Sequence, residues 1–222
     1  MFNTSRSQDV PNCLNDKQYN TKEIVDLLEP MFHGKCYLCE QDDLSNPEIE
    51  HFDPHKGDTS KKYDWNNLYY SCGRCNSIKS TKHIDLLDCC DKNINIFKEI
   101  KCLLPSVPDG NVTVTATSNS NLVKSENTVV LLERCYNETN TPLRGVTRAV
   151  LMEGLFEHYT DYLSYRRTLK DKRSSDEEKF LAKGRLKSML KVSFPFSVFW
   201  RWHVLSDSFL VKELNSYLEF SE

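Results

Sequence analysis

No stretch of the 222 residues approaches the roughly eighteen consecutive apolar residues that a membrane-spanning helix requires, which excludes a helical span by length alone. The stretch from Met1 to Cys13 is polar and lacks the basic-then-apolar order of a secretory signal. Net positive charge is also missing: 29 Lys and Arg stand against 32 Asp and Glu, a formal charge of −3. A dedicated nucleic-acid-binding domain is usually basic. Tight autonomous binding is therefore disfavoured, and any contact with nucleic acid must use a local patch or a partner's surface. No internal repeat or low-complexity tract interrupts the chain. The expectation is a soluble, cytoplasmic protein, long enough for one large domain or a small domain with a helical extension.

What is present points to a folded, metal-stapled chain. Apolar residues make up 39% and aromatics 11%, enough to bury a core and to exclude wholesale disorder. There are nine cysteines. Four form two CxxC pairs, Cys36/Cys39 and Cys72/Cys75; the others are Cys13, Cys89, Cys90, Cys102 and Cys135. An odd total outside an oxidising compartment fits metal binding better than a disulfide framework. A redox CxxC usually stands alone, whereas two pairs can close a tetrahedron of thiolates around zinc. Four cysteines leave such an ion no open position, so the expected zinc is structural.

Local patterns supply the elements. Asn20 with Glu23 has the spacing of a capping box. Ile24, Leu27, Leu28 and Met31 then recur at helical spacing, and Gly34 stops the run. Glu48 to Phe52 alternates as a strand ended by Asp53-Pro54. Trp65 to Tyr70 leads into Cys72, and a helix is expected over residues 76–83. Val112 to Thr117 alternates as a second strand segment between turn residues. Val129 to Leu132 is an apolar run of either type. Val146, Val150, Met152, Leu155, Phe156, Tyr159 and Leu163 fit helical faces. Ser175 with Glu178 is a second capping box, heading a helix with Phe180, Leu181, Leu186, Met189 and Leu190.

Between the two CxxC pairs lie Ile49-Glu50-His51-Phe52 and Trp65-x-Asn67-Leu68. Ser71-Cys72-x-x-Cys75-Asn76-x-x-Lys79 follows. In these residues, over about positions 33–83, the sequence resembles the HNH nuclease family. The family pattern has an acidic residue and a histidine on a first strand and then an asparagine. A His or Asn follows the second CxxC, with a Lys three residues later. The corresponding positions are Glu50, His51, Asn67, Asn76 and Lys79. The chemistry is consistent: imidazole takes a proton from water near neutrality. A carboxylate and an amide oxygen are hard ligands suited to Mg²⁺ or Mn²⁺ at a phosphate. On this resemblance His51 is expected to be the general base, with Glu50 and Asn76 as ligands of a catalytic divalent metal. Asn67 is expected to brace the loop and orient His51, and Lys79 to contact phosphate. Asn76 stands where histidine is often found, which leaves His83 as a substitute ligand. Singly, these residues have plainer explanations: Asn67 as a turn residue, Asn76 as a helix cap, His55 as a solvated loop histidine.

The resemblance extends to the small HNH subunits of bacterial anti-phage systems of the Septu kind, including those attached to retrons. It implies an ATPase partner subunit; the expected substrate is nucleic acid, with double-stranded DNA favoured and RNA left open. A non-catalytic zinc-binding module for DNA or protein is the competing expectation. A stand-alone homing or repair nuclease is a third, weakened by the acidic pI near 6.1. The basic stretch 166–191 reads first as a solvated helix face, and Phe194 to Trp202 as core. Cys89 and Cys90 read as ordinary small apolar residues. The fold expected is α+β: a zinc-stapled ββα-metal (HNH) core in residues 1–104, and a mainly helical region with a short β segment in residues 105–222.

Overall fold

The computed structural model describes residues 1–139 and 146–217. Helix α1 (Lys22–Met31) begins at Thr21, whose side chain accepts a hydrogen bond from the Ile24 amide. The cap thus falls one residue after Asn20, and Glu23 accepts from the Asn12 amide instead, at 3.2 Å. Ile24 and Leu28, four residues apart on one face, are both fully buried. Gly34, at φ +67°, closes the helix by donating its N–H to the Glu29 carbonyl at 2.8 Å.

Strands β1 (Pro47–His51) and β2 (Leu68–Cys72) form an antiparallel hairpin with Glu50 opposite Tyr69 and His51 opposite Leu68. Its long connection contains the short helix α2 (Thr59–Lys62) and a 3-10 turn, Trp65–Asn67, capped by Asp64. β2 runs directly into helix α3 (Gly73–Lys79), with Cys72 as both the last strand residue and the N-cap. That cap is why the helix starts before Asn76. It stops at Lys79, where Ser80 turns to φ +45°, and so falls short of His83. Every residue of β2 is buried, because α1 and α3 both pack on the hairpin.

A second two-stranded sheet follows. After helix α4 (Ile96–Glu99), strand β3 (Ile100–Leu103) pairs antiparallel with β4 (Thr113–Ala116). β4 lies within the alternating stretch seen in the sequence, and this hairpin spans the 104/105 division drawn from composition. The ambiguous run at Val129–Leu132 joins helix α5 (Leu122–Asn137), with Leu131 and Leu132 buried. Helices α6 (Arg148–Lys170), α7 (Asp176–Met189), α8 (Ser197–Leu205) and α9 (Ser208–Glu213) follow, and a 3-10 turn, Asn215–Tyr217, ends the described chain. The Ser175/Glu178 capping box is present. Phe180 and Leu181 do not join the core: they are 77% and 58% exposed, while Ala182, Leu186 and Met189 carry the buried face of α7. In the basic stretch, Arg166 pairs with Asp207 and Arg173 with Asp171. No helix among the described residues is long and apolar enough to cross a membrane.

One buried cluster runs from Met1 to Leu214, with Phe199 and Trp200 at zero exposure. Polar contacts tie its two ends together. The Tyr136 hydroxyl donates to the Cys39 carbonyl at 3.0 Å. Lys35 Nζ donates to the Val192 and Phe194 carbonyls at 2.6 and 2.9 Å. Glu40 pairs with Lys35 at 3.2 Å and accepts from the Ser197 hydroxyl at 2.8 Å. Burial opposes its charge, but Lys35 and the Met1 ammonium outweigh that and hold its carboxyl at about 2.

Arg74 couples α3 to α5. Fully buried, it donates to the Cys135 carbonyl at 2.9 Å and to the Glu138 carbonyl. These carbonyls at the end of α5 have no intrahelical donor. Arg74→Ala removes charged donors and opens a cavity, an expected loss on the order of 3–5 kcal/mol. A urea titration should show a clearly lower midpoint; an unchanged midpoint would contradict this coupling.

Candidate metal and catalytic site

The first CxxC is held as a tight knuckle. The Glu40 amide donates to the Cys36 carbonyl and the Cys36 amide to the Gln41 carbonyl, both at 2.9 Å. Glu40 takes φ +61° to allow the turn. The Tyr37 amide donates to the Tyr70 carbonyl at 3.0 Å, which fixes the knuckle against β2. The second pair rides on the first turn of α3, where Cys72 Sγ accepts from the Cys75 amide at 3.4 Å.

The four sulfurs lie within 4.8 Å of one another, and all four residues are buried. Cys39 Sγ and Cys72 Sγ are 3.9 Å apart. Tetrahedral zinc with Zn–S near 2.3 Å requires S–S separations of about 3.8 Å, so the thiols fit that ion. Burial pushes the Cys36 thiol up, but hydrogen bonds from Cys39, Cys72 and Cys75 more than reverse this and hold it well below its usual range. A thiolate is thus already favoured at the centre of the cluster.

Strand alternation sends Glu50 and His51 to opposite faces of β1. On the α3 side, Glu48 and Glu50 meet Asn76 and Lys79, which stand one turn apart on the helix. Asn76 Nδ2 donates to Glu48 Oε2 at 2.7 Å. Lys79 Nζ donates to Glu50 Oε1 at 2.6 Å and to the His51 carbonyl at 2.9 Å. The Tyr37 hydroxyl donates to Glu50 Oε2 at 2.6 Å. Glu50 is only 3% exposed and Lys79 fully buried. Burial pushes the Glu50 carboxyl up to about 7, against the pull of Lys79 and the hydrogen bonds from Lys79 and Tyr37.

Two expectations change here. Lys79 is turned inward as the counter-ion of Glu50, and in this position it cannot touch a phosphate. Both Glu50 oxygens are already engaged, so the carboxylate is not displayed to solvent as a ready ligand. Asn76, by contrast, is partly exposed. His83 Nε2 lies 2.8 Å from Arg134 Nη1 and accepts from it, so that nitrogen serves α5.

On the other face, His51 Nε2 is 3.0 Å from the Lys62 carbonyl, the last residue of α2. A carbonyl only accepts, so Nε2 carries the proton and Nδ1 keeps a lone pair. Among the described residues Nδ1 has no hydrogen-bond partner. The rings of Tyr19 and His55 each pack edge-on against the imidazole with centroids at 4.7 Å. Burial lowers the His51 pKa below its ordinary 6.5, and positive neighbours push the same way, against the bond to Lys62. Asn67 organises the loop: Oδ1 accepts from the Asp53 amide at 2.7 Å, and Nδ2 donates to the Asp53 and Lys61 carbonyls at 2.8 and 3.0 Å. Tyr19 and Tyr37 join the site through contacts that sequence spacing does not encode, Glu48 shares the face of Glu50 by strand alternation, and His55, expected as a solvated loop histidine, packs on His51.

Residues 36–82 match the HNH endonuclease family model. The Septu protein PtuB of Bacillus mycoides (strain KBAB4) is 41% identical over 73 residues, covering 26% of this chain and 25% of that protein. The matched part thus spans a quarter of the length of that relative.

Purified protein should contain one zinc per chain, because four thiolates are closed around one position. Cys72→Ala removes a ligand and the cap of α3 together. Structural zinc is worth about 10–16 kcal/mol in small zinc domains, so this variant should lose zinc and become protease-sensitive between residues 36 and 79. Full zinc content with unchanged protease resistance would refute the assignment.

Proposed function

We propose that this HNH-domain chain is a metal-dependent endonuclease that hydrolyses phosphodiester bonds of double-stranded DNA. We further propose that it serves as the nuclease subunit of a bacterial anti-phage complex of the Septu kind, together with an ATPase partner. The observation that carries the catalytic reading is the state of His51. Its Nε2–H is fixed on a backbone carbonyl, its Nδ1 is left as a base, and its lowered pKa keeps it neutral at physiological pH. A lone pair on a neutral imidazole is what a general base requires. The likeness to PtuB supports the defence reading, and the chain's net charge of −3 fits a nuclease that borrows a partner's binding surface.

In this reading His51 Nδ1 takes the proton of the attacking water, while Asn67 keeps the 53–61 loop in place so that Lys62 holds the ring. Glu50 and Asn76 would hold the catalytic Mg²⁺ or Mn²⁺. The Glu50 carboxylate already holds a cation, the Lys79 ammonium, which also donates to the His51 carbonyl, and the Asn76 side-chain oxygen is a hard donor of the kind that Mg²⁺ takes. When bound, the metal supplies positive charge for the phosphate oxygens and the leaving group. Lys79 must withdraw from Glu50 for that carboxylate to become a ligand. The locked Glu50–Lys79–Tyr37 contact is also the one observation that favours a non-catalytic zinc module, and the assay below separates the two.

Cleavage of supercoiled plasmid with Mg²⁺ or Mn²⁺, with and without a co-purified partner, should be lost about 10²–10⁴-fold in His51→Ala. The wild-type rate should fall as pH drops, because protonation removes the base. Since the His51 pKa is lowered, the inflection should lie below 6.5. Equal cleavage by His51→Ala would remove His51 as the base. Absence of wild-type cleavage on DNA and RNA alike would favour the zinc-bound interaction module.

A further inference from the structure

The adjacent thiols Cys89 and Cys90 lie beyond α3, outside both metal positions. Asp88, Cys89 and Cys90 bring a carboxylate oxygen and two sulfurs within 4.8 Å of one another. Of the nine cysteines, eight are buried, and Cys90 alone is partly exposed. Cys89 lies beneath it at 1% exposure. Arg6 is aimed at the exposed thiol, with Nη2 3.6 Å from Cys90 Sγ. The guanidinium is held there by bonds from Nη1 to the Trp65 and Leu68 carbonyls, each at 2.9 Å, and it lies 4.7 Å from the Tyr69 ring centroid. Asp88 Oδ1 accepts from the Cys90 amide at 2.7 Å and from the Tyr69 hydroxyl, which fixes the turn carrying both sulfurs.

These are the features of a reactive thiol: access, a fixed cation, and a second thiol beside it. A hydrogen bond from Cys89 and the charge of Arg6 draw the Cys90 thiol below its usual range, against burial, while burial pushes Cys89 up. The pair therefore divides into an attacking sulfur and a protonated one.

We propose that Cys90 is a hydroperoxide-reactive thiol resolved by Cys89, so that the pair closes reversibly to a vicinal disulfide. The Cys90 thiolate attacks a peroxide oxygen; an S–O bond forms, the O–O bond breaks, and hydroxide leaves a sulfenic acid. The Cys89 sulfur then attacks Cys90 Sγ, the S–S bond forms and the S–O bond breaks. The departing oxygen leaves as water with the Cys89 proton. Two electrons pass from the thiols to the peroxide, which ends as two waters. Neighbouring Cα atoms are about 3.8 Å apart, below the usual disulfide span of about 4.4–6.8 Å. The product is accordingly strained and easily reduced, a reversible mark and not a structural cross-link. Its formation also takes the thiolate away from Arg6, which joins the N-terminal segment to the turn before β2.

The test is limited hydrogen peroxide on the full-length, zinc-loaded protein, followed by intact mass and peptide mapping. Wild type should lose two hydrogens at Cys89–Cys90, regain them with a thiol reductant, and keep its zinc. Cys89→Ser should stop at a sulfenic acid on Cys90 that dimedone traps. Cys90→Ser should leave Cys89 reduced, and Arg6→Gln should react about tenfold more slowly, each variant being checked for native circular dichroism. Oxidation of the zinc-site cysteines while Cys90 stays reduced would overturn the proposal. So would a wild-type sulfenic acid that persists with Cys89 intact.

Discussion

The closure of four thiols around one position is the constraint from which the rest of the site follows. Residues 36–79 contain two short strands, two short helices and a long connection, too little apolar material to define a unique arrangement alone. Joining the knuckle at Cys36/Cys39 to the first turn of α3 fixes where β2 ends and where α3 begins. That, in turn, sets which residues of β1 face the helix. The C-terminal half reinforces the same point: Tyr136 holds the Cys39 carbonyl, Ser197 holds Glu40, and Arg74 reaches from α3 to the end of α5.

Once the hairpin is fixed, the two-residue period of a strand divides its labour. Glu48 and Glu50 turn to α3 and are met by Asn76 and Lys79. His51, one step further, turns to the loop and is met by Lys62, Tyr19 and His55. The proposed base, His51, and the proposed metal-holding carboxylate, Glu50, are therefore sequence neighbours that sit in separate environments. The base is kept neutral by partial burial. The carboxylate is kept company by a buried ammonium, a pair in which loss of either partner typically costs about 3–5 kcal/mol. This arrangement makes Lys79 an element of the resting site's geometry and not a surface contact.

Much of this was legible in the sequence because it is local. The CxxC pairs, the Glu48–Phe52 alternation, the Ser175/Glu178 box and the Val112–Thr117 strand depend on neighbours a few residues away. The cap of α1 was displaced by one position because Thr21 offers the same oxygen as Asn20, and only backbone geometry chooses between them. Lys79 was misjudged because a lysine's default place is the surface; its partner Glu50 is 29 residues away and becomes visible only in three dimensions. β3 escaped notice for a similar reason: four residues acquire strand character by pairing with β4 across an intervening turn. Phe180 and Leu181 show the converse, apolar residues at helical spacing that nothing among the described residues covers.

The proposed chemistry rests on His51 as a neutral base with its lone pair on Nδ1. Nitrogen-15 spectra of the zinc-loaded protein near neutral pH, with the His51 signals assigned by comparison with His51→Ala, test it without reference to any substrate. A neutral ring protonated at Nε2 and bare at Nδ1 is expected. A ring protonated at Nδ1, or a doubly protonated imidazolium at that pH, would contradict it.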